Sequence, residues 1–156
     1  MTDHPTAVAA AGAAALLDAG LWRPFNLVVA DARDAFFVRG TGAGRAEVIP
    51  LGEGVSMVTA HDPNSPESPR TQRHLPRFGS APQPDPGRGD WRGWEALLAD
   101  DRGGAAALTV PPVDGFGTVC ASLLALGLQG GRVWRFAPGA AGTRPFQDVL
   151  HEVPPG

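Results

Sequence analysis

Hydrophobic and polar positions along the chain fall into short runs punctuated by Gly, Pro and Asp. The first run is different: it is rich in Ala. Pro5 suits a first helical position and Gly20 a stop, so residues 5–19 are predicted as a helix. Its apolar side chains are mostly methyls plus Leu16 and Leu17, so it packs close to a neighbour and buries little area. Two apolar runs follow, at 25–30 and 35–39, joined by the polar turn Asp31-Ala-Arg-Asp34. They read as paired strands. Strands are also predicted at 45–50, after the glycine turn Gly40–Gly44, and at 55–60, after Gly52 and Gly54. Four strands with short links make an antiparallel meander.

The pattern changes over 61–90, which holds seven of the 16 prolines. Ser68-Pro69 has the form of a helix cap and first position, and Pro76 predicts a stop or kink at Leu75. Asp90 is expected to cap a helix to about Asp100, with Trp91, Trp94, Leu97 and Leu98 on one face. Further strands are expected at 105–110, 117–126, 132–137 and 146–153, with Leu128–Gly131 as a hairpin turn. The fold class expected is α+β, in mostly antiparallel sheets with helices on one or both faces.

Composition adjusts this picture in a few ways. The 156 residues suit one domain over 1–156. The charged fraction of 19% and hydrophobic fraction of 43% lack the signature of disorder. The 21 Gly and 16 Pro, just under a quarter of the chain, are accounted for by turns and one loop. A net charge of −3 argues against an electrostatic nucleic-acid binder. Lys is absent, so all 13 basic side chains are Arg. With 25 Ala, this reads as GC-rich coding bias, a bacterial-like composition. The single cysteine, Cys120, excludes an internal disulfide framework and a cysteine-based zinc site. The Ala run lacks the positive flank of a signal peptide and is too short to span a bilayer. A reducing, cytoplasmic setting is expected.

Several residues bear on chemistry. Gly40-Thr-Gly-Ala-Gly-Arg45 has the look of a dinucleotide loop, but a strand follows it where a helix is needed, so it is read as a hairpin turn. His61-Asp62, at a strand end, offers a polar or acid–base group near neutral pH. No metal site is expected, because no HxH or HxxxH spacing exists. Cys120, among apolar neighbours, is expected to be a buried inert thiol. The stretch Asp114-Gly115-Phe116-Gly117-Thr118 reads either as a glycine turn feeding a strand or as a pocket wall presenting N–H groups to a ligand.

Three segments then carry a resemblance. They are RPFNLVVADARDAFFVR at 23–39, VSMVTAHDPNSPESPRTQRHLPRF at 55–78 and DGFGTVCASLLAL at 114–126. In order and approximate spacing they resemble the NRDE family, also called the transport and Golgi organisation protein 2 family. The bacterial pattern of that family resembles FNLVVAD, then TAHD…SPR, then GFGTVSSSL. The resemblance covers roughly Pro5 to Val149 and corresponds to the C-terminal portion of the family's domain. It implies a partial α-β-β-α sandwich like that of N-terminal nucleophile hydrolases. Family members begin Met-Cys, with the cysteine as nucleophile, and carry an Asn-Arg-Asp-Glu motif soon after. Neither is present here, and Thr2 precedes a helix rather than a strand entering a sheet.

The resemblance therefore implies a truncated or split family member without autonomous hydrolase activity. Two alternatives stand beside it. One is a module that binds or traffics haem or another apolar ligand, with His61, His74 and His151 as generic axial candidates. The other is a misassigned start of a complete amide hydrolase, which an in-frame Met-Cys in the upstream DNA would reveal. The position that aligns with an oxyanion-hole asparagine of related amidases is His61, whose N–H donates similarly. The expected ligand-binding set is His61, Asp62, Gly115, Phe116, Gly117 and Thr118, with no metal and no confident catalytic residue. Expected partners are a second copy or a complementing N-terminal half, with neither nucleic acid nor a membrane span.

Overall fold

The computed structural model of this chain describes residues 4–152. Thr2 and Val153, which figured in the expectations above, lie outside the described residues. Internal contacts group the chain into two compact units, 1–64 and 65–156.

Unit 1 contains a helix, α1 (Ala7–Ala14), and three strands, β1 (Phe25–Ala30), β2 (Ala35–Gly40) and β3 (Glu47–Leu51). The strands form an antiparallel sheet in the order β1-β2-β3. Leu27 faces Val38, which faces Val48. Ala7, Ala11 and Ala14 repeat at helical spacing and form the buried stripe of α1. Ala14 joins Val38 and Ala46, and Phe25, Val29 and Val48 pack around them. Asp31, in the β1–β2 turn, ties helix to sheet. Its carboxylate accepts from the N–H groups of Ala7 at 2.7 Å, Arg33 at 2.8 Å and Asp34 at 2.9 Å. These bonds hold its pKa below the usual carboxylate value.

Unit 2 contains α2 (Pro69–Ser80), α3 (Arg92–Leu98), β4 (Ala121–Leu126), β5 (Arg132–Ala137) and β6 (Gln147–Glu152). Its antiparallel sheet runs β4-β5-β6. One face carries Leu123, Val133 and Ala125, packed with Trp91, Leu98 and Phe146. On the other face Leu124, Leu126 and Trp134 are 62%, 44% and 38% exposed, so this apolar surface is open. Mixed α+β structure with two small antiparallel three-stranded sheets is thus the fold class.

Several expected elements differ. The first helix ends at Ala14, because the chain leaves it to pair elsewhere: Ala46 donates to Leu17 O at 3.2 Å and Ala19 to Gly44 O at 2.7 Å. Residues 55–60 form no strand. Met57 and Asn64 close a loop instead, through Met57 N to Asn64 Oδ1 at 2.7 Å and Asn64 N to Met57 O at 2.9 Å. Helix α2 continues through Pro76. It is anchored on both sides of the proline, His74 to Ala106 and Arg77 to Asp100, and this outweighs the lost backbone bond.

Asp90 is not the cap of α3: Trp91 holds that position without a side-chain bond, while Asp90 clasps the Arg92 guanidinium. The 105–110 strand is replaced by a 3-10 turn at Gly104–Ala106, because Leu108 and Thr109 both donate to Asp100 O at 3.0 Å. Strand β4 begins four residues late, since Thr118 is bonded to Val110. Cys120 therefore lies outside β4 and is exposed, correcting the expectation of a buried thiol.

Candidate functional site

Unit 1 holds an open groove of about 570 Å³ where β1 and β2 meet the loop after β3. Asn26 of β1 and Arg39 of β2 are cross-strand partners, and Arg39 is in turn the partner of Glu47 in β3. The antiparallel register therefore lines up an amide, a guanidinium and a carboxylate on one face. Asn26 Nδ2 donates to Thr59 O at 2.8 Å, which fixes the loop against the sheet. Arg39 donates to Glu47 Oε2 at 2.5 Å and also to Asp62 Oδ1. The Glu47 hydrogen bond first, then the charge of Asp62, raises the Arg39 pKa further. Phe25 lies across Gly40, where any Cβ would collide with its ring, so this crossing requires glycine. The groove thus offers a half-buried cation, a primary amide and an aromatic wall.

His61 and Asp62 flank this groove rather than line it. His61 is exposed, and its N–H donates to Thr59 Oγ1 at 3.2 Å. Asp62 is committed to Arg39. Gly115, Phe116, Gly117 and Thr118 belong to unit 2. There Val113 and Phe116 exchange backbone bonds of 2.8 and 2.9 Å around Asp114 and Gly115. Both central residues have positive φ, 51° and 81°, which is a type I′ hairpin turn built on Asp-Gly. The N–H groups of Phe116 and Thr118 bond to Val113 O and Val110 O, so they are not presented to a ligand. A Cβ on Gly117 would meet Pro112 Cα at 2.9 Å, so the close approach there is by the chain's own backbone.

A second polar cluster lies in unit 2. Asp100 Oδ2 accepts from Arg73 at 3.0 Å and from Arg77, and Asp100 Oδ1 accepts from Arg102 N at 2.9 Å. The backbone bond and the two guanidiniums hold the Asp100 carboxyl far below its usual range. His74 is fully buried beside it. Its Nε2–H donates to Ala106 O at 2.7 Å, leaving Nδ1 to accept from Arg77 Nη1 at 3.1 Å. This is a neutral imidazole, and burial pushes its pKa down. Both ring nitrogens are engaged, so His74 is not placed to ligate haem iron. Among the described residues no group of three His, Cys, Asp or Glu is placed to hold a metal ion. No described helix is long and apolar enough to cross a membrane.

Sequence reasoning missed Asn26 and Arg39. Their signal was a polar residue interrupting an apolar run and a cation closing one. It also missed the Asp100 cluster, although Arg70, Arg73, His74 and Arg77 repeat at helical spacing. No protein-family model matches the chain, and no curated protein or solved structure matches it significantly.

Proposed function

We propose that the chain is related to the NRDE family, forms part of an N-terminal-nucleophile-hydrolase-like sandwich, and binds an amide-bearing ligand without hydrolysing it. One observation carries this reading. Two segments that bear the resemblance, 23–39 and 55–78, meet at the groove, the second through its first residues, by the Asn26–Thr59 and Arg39–Asp62 bonds. Arg39 is held by its two acids, so the Asn26 amide, which keeps Oδ1 and one N–H, suits an amide group of the ligand, and Phe25 suits an apolar acyl group. The hydroxyls that line the groove are engaged within the chain: Thr41 Oγ1 donates to Ala43 O and Thr59 Oγ1 accepts from the His61 N–H. Cys120 is exposed in unit 2 with no base bonded to it among the described residues, so it lacks the usual means of activation.

The test is an amidase and acylase assay of the chain alone on N-acyl amino acids, paired with binding of the same compounds. The expected outcome is no turnover, with saturable binding that Asn26→Leu weakens. Turnover that disappears in Thr2→Ala overturns the reading. The same proposal expects a second copy to cover the open Leu124–Leu126–Trp134 face, because exposed apolar sheet surface favours association. A monodisperse monomer by light scattering at 100 µM, about that order of concentration, counts against it.

A further inference from the structure

Unit 2 holds a groove of about 570 Å³ between α3, β5 and the loop that precedes β6. None of its lining residues is used above for the proposed function. Its lining includes Arg92, Arg135 and Arg144 against one carboxylate, Glu95, with Phe146 as an apolar wall.

The three guanidiniums are not equivalent. Arg92 is held by both oxygens of Asp90, at 3.0 and 2.9 Å. Arg135 bridges Glu95 at 2.5 Å and Asp148 at 3.0 Å, and sits 5.8 Å from the centre of the Phe146 ring. Arg144 is exposed and has no acidic partner among the described residues. Yet the backbone beneath it is fixed. Thr143 donates to Ala140 O through both its N–H, at 3.0 Å, and its hydroxyl, at 2.7 Å. Gly142, at φ 83°, brings the loop against Ala99 of the α3 end, where a Cβ would approach that methyl at 2.8 Å. An anchored loop therefore presents an uncommitted, fork-shaped donor to a groove whose lining also includes the Phe146 ring.

We propose that this groove binds a small carboxylate bearing a short apolar or aromatic group. The carboxylate takes the two parallel N–H donors of Arg144, the geometry that guanidinium supplies best. The apolar part lies against Phe146. A phosphate dianion fits less well, because its extra oxygens need further donors, and Arg92 and Arg135 are already satisfied by their own acids.

The test is a titration of the full chain with sodium benzoate, inorganic phosphate and benzylamine, followed by backbone amide NMR. Benzoate is expected to give saturable shifts at Thr143, Arg144 and Phe146, and benzylamine none. Arg144→Gln is expected to weaken benzoate binding about fivefold, as loss of a charge-assisted bond at an open site does. Arg144 is exposed, so this variant keeps the fold, and an unchanged spectrum elsewhere checks that. Arg88→Gln, a surface change outside the groove, leaves binding unchanged. The proposal is overturned if benzoate gives no saturable shift, if phosphate matches benzoate, or if Arg144→Gln binds as the parent does. Binding through Asn26 is read on separate signals, so its failure and this one are distinguishable.

Discussion

Unit 1 and unit 2 each pack helical residues on a three-stranded antiparallel sheet, but they fill the space between in opposite ways. The helix of unit 1 uses methyls. Ala7, Ala11 and Ala14 form the buried stripe of α1, and one carboxylate, Asp31, fastens the helix start to the β1–β2 turn. Unit 2 uses large groups. Trp91, Leu98 and Phe146 cover Leu123 and Val133, and Arg–acid pairs brace the edges. A methyl stripe allows close approach yet removes little apolar area from water, whereas an indole removes much more. The difference lies in how the helical residues are seated. Helix α1 relies on methyl contact and one polar closure, while the large buried groups of unit 1, Phe37 and Val38, come from its sheet. Unit 2 seats its helical residues through an indole.

The largest expected effect follows from that contrast. Trp91 is 3% exposed, and Trp91→Ala is expected to cost about 3–5 kcal/mol. Urea unfolding gives the total, and hydrogen exchange of peptides from each unit shows where protection is lost. If the chain is one cooperative domain, protection falls in both units. Loss confined to 65–152 breaks the single-domain expectation. A cost under 1 kcal/mol would break the contrast itself.

Next comes a pH effect. The folded His74 is favoured neutral, because burial lowers its pKa. Its contribution is complete above the unfolded value near 6.5 and is lost progressively as pH falls below that. Asp31 has a lowered pKa too, but its contribution is lost only as pH falls below about 3.8, the ordinary carboxylate value. Between pH 7 and 5 the urea midpoint is therefore expected to fall in the parent and to fall less in His74→Gln. Equal falls would show that the buried imidazole is not the cause. Asp100, Arg73 and Arg77 face it, and Asp100 stays ionised throughout this window because its pKa is held far below it.

These elements were unequally legible in the sequence. Strands β1, β2 and β5 were readable because each is bounded by a turn of Asp or Gly within a few residues. The 55–60 strand was not, since its apolar alternation says nothing of Asn64, which takes its backbone bonds. Pro76 looked like a stop because the anchors that hold α2 past it, Asp100 and Ala106, lie more than 20 residues away. At the candidate site, His61 and Asp62 stood out as polar groups at a predicted strand end. Asn26 and Arg39 did not, because only the β1–β2 register, pairing residues 13 apart, makes them neighbours.

A smaller effect is expected in unit 1. Ala11→Gly removes a buried methyl and loosens the helix, for about 1–2 kcal/mol in urea unfolding. Gly12 has open space around its Cβ position, so Gly12→Ala is expected to gain up to about 1 kcal/mol through helix propensity alone. Opposite signs from adjacent residues would show that the methyl stripe is specific. Equal losses would mean that α1 tolerates no change at all.

The smallest expected effect tests the open face of unit 2. Arg132 and Glu152 pair at 2.6 Å at the end of that face, with side chains 58% and 49% exposed. Exposed pairs of this kind contribute about 0–1 kcal/mol, and salt screens them. Glu152→Gln is thus expected to shift the urea midpoint barely, and not at all in 1 M NaCl, about the salt level at which such charges are screened. A loss above 1 kcal/mol that survives salt requires the pair to be shielded from water. No described residue shields it, so a second copy seated on Leu124 and Trp134 would have to do so. That loss would then grow with protein concentration, since association stabilises by mass action. A small, salt-sensitive and concentration-independent shift means that the face stays open in solution, and the contrast with the covered face of the same sheet then holds in full.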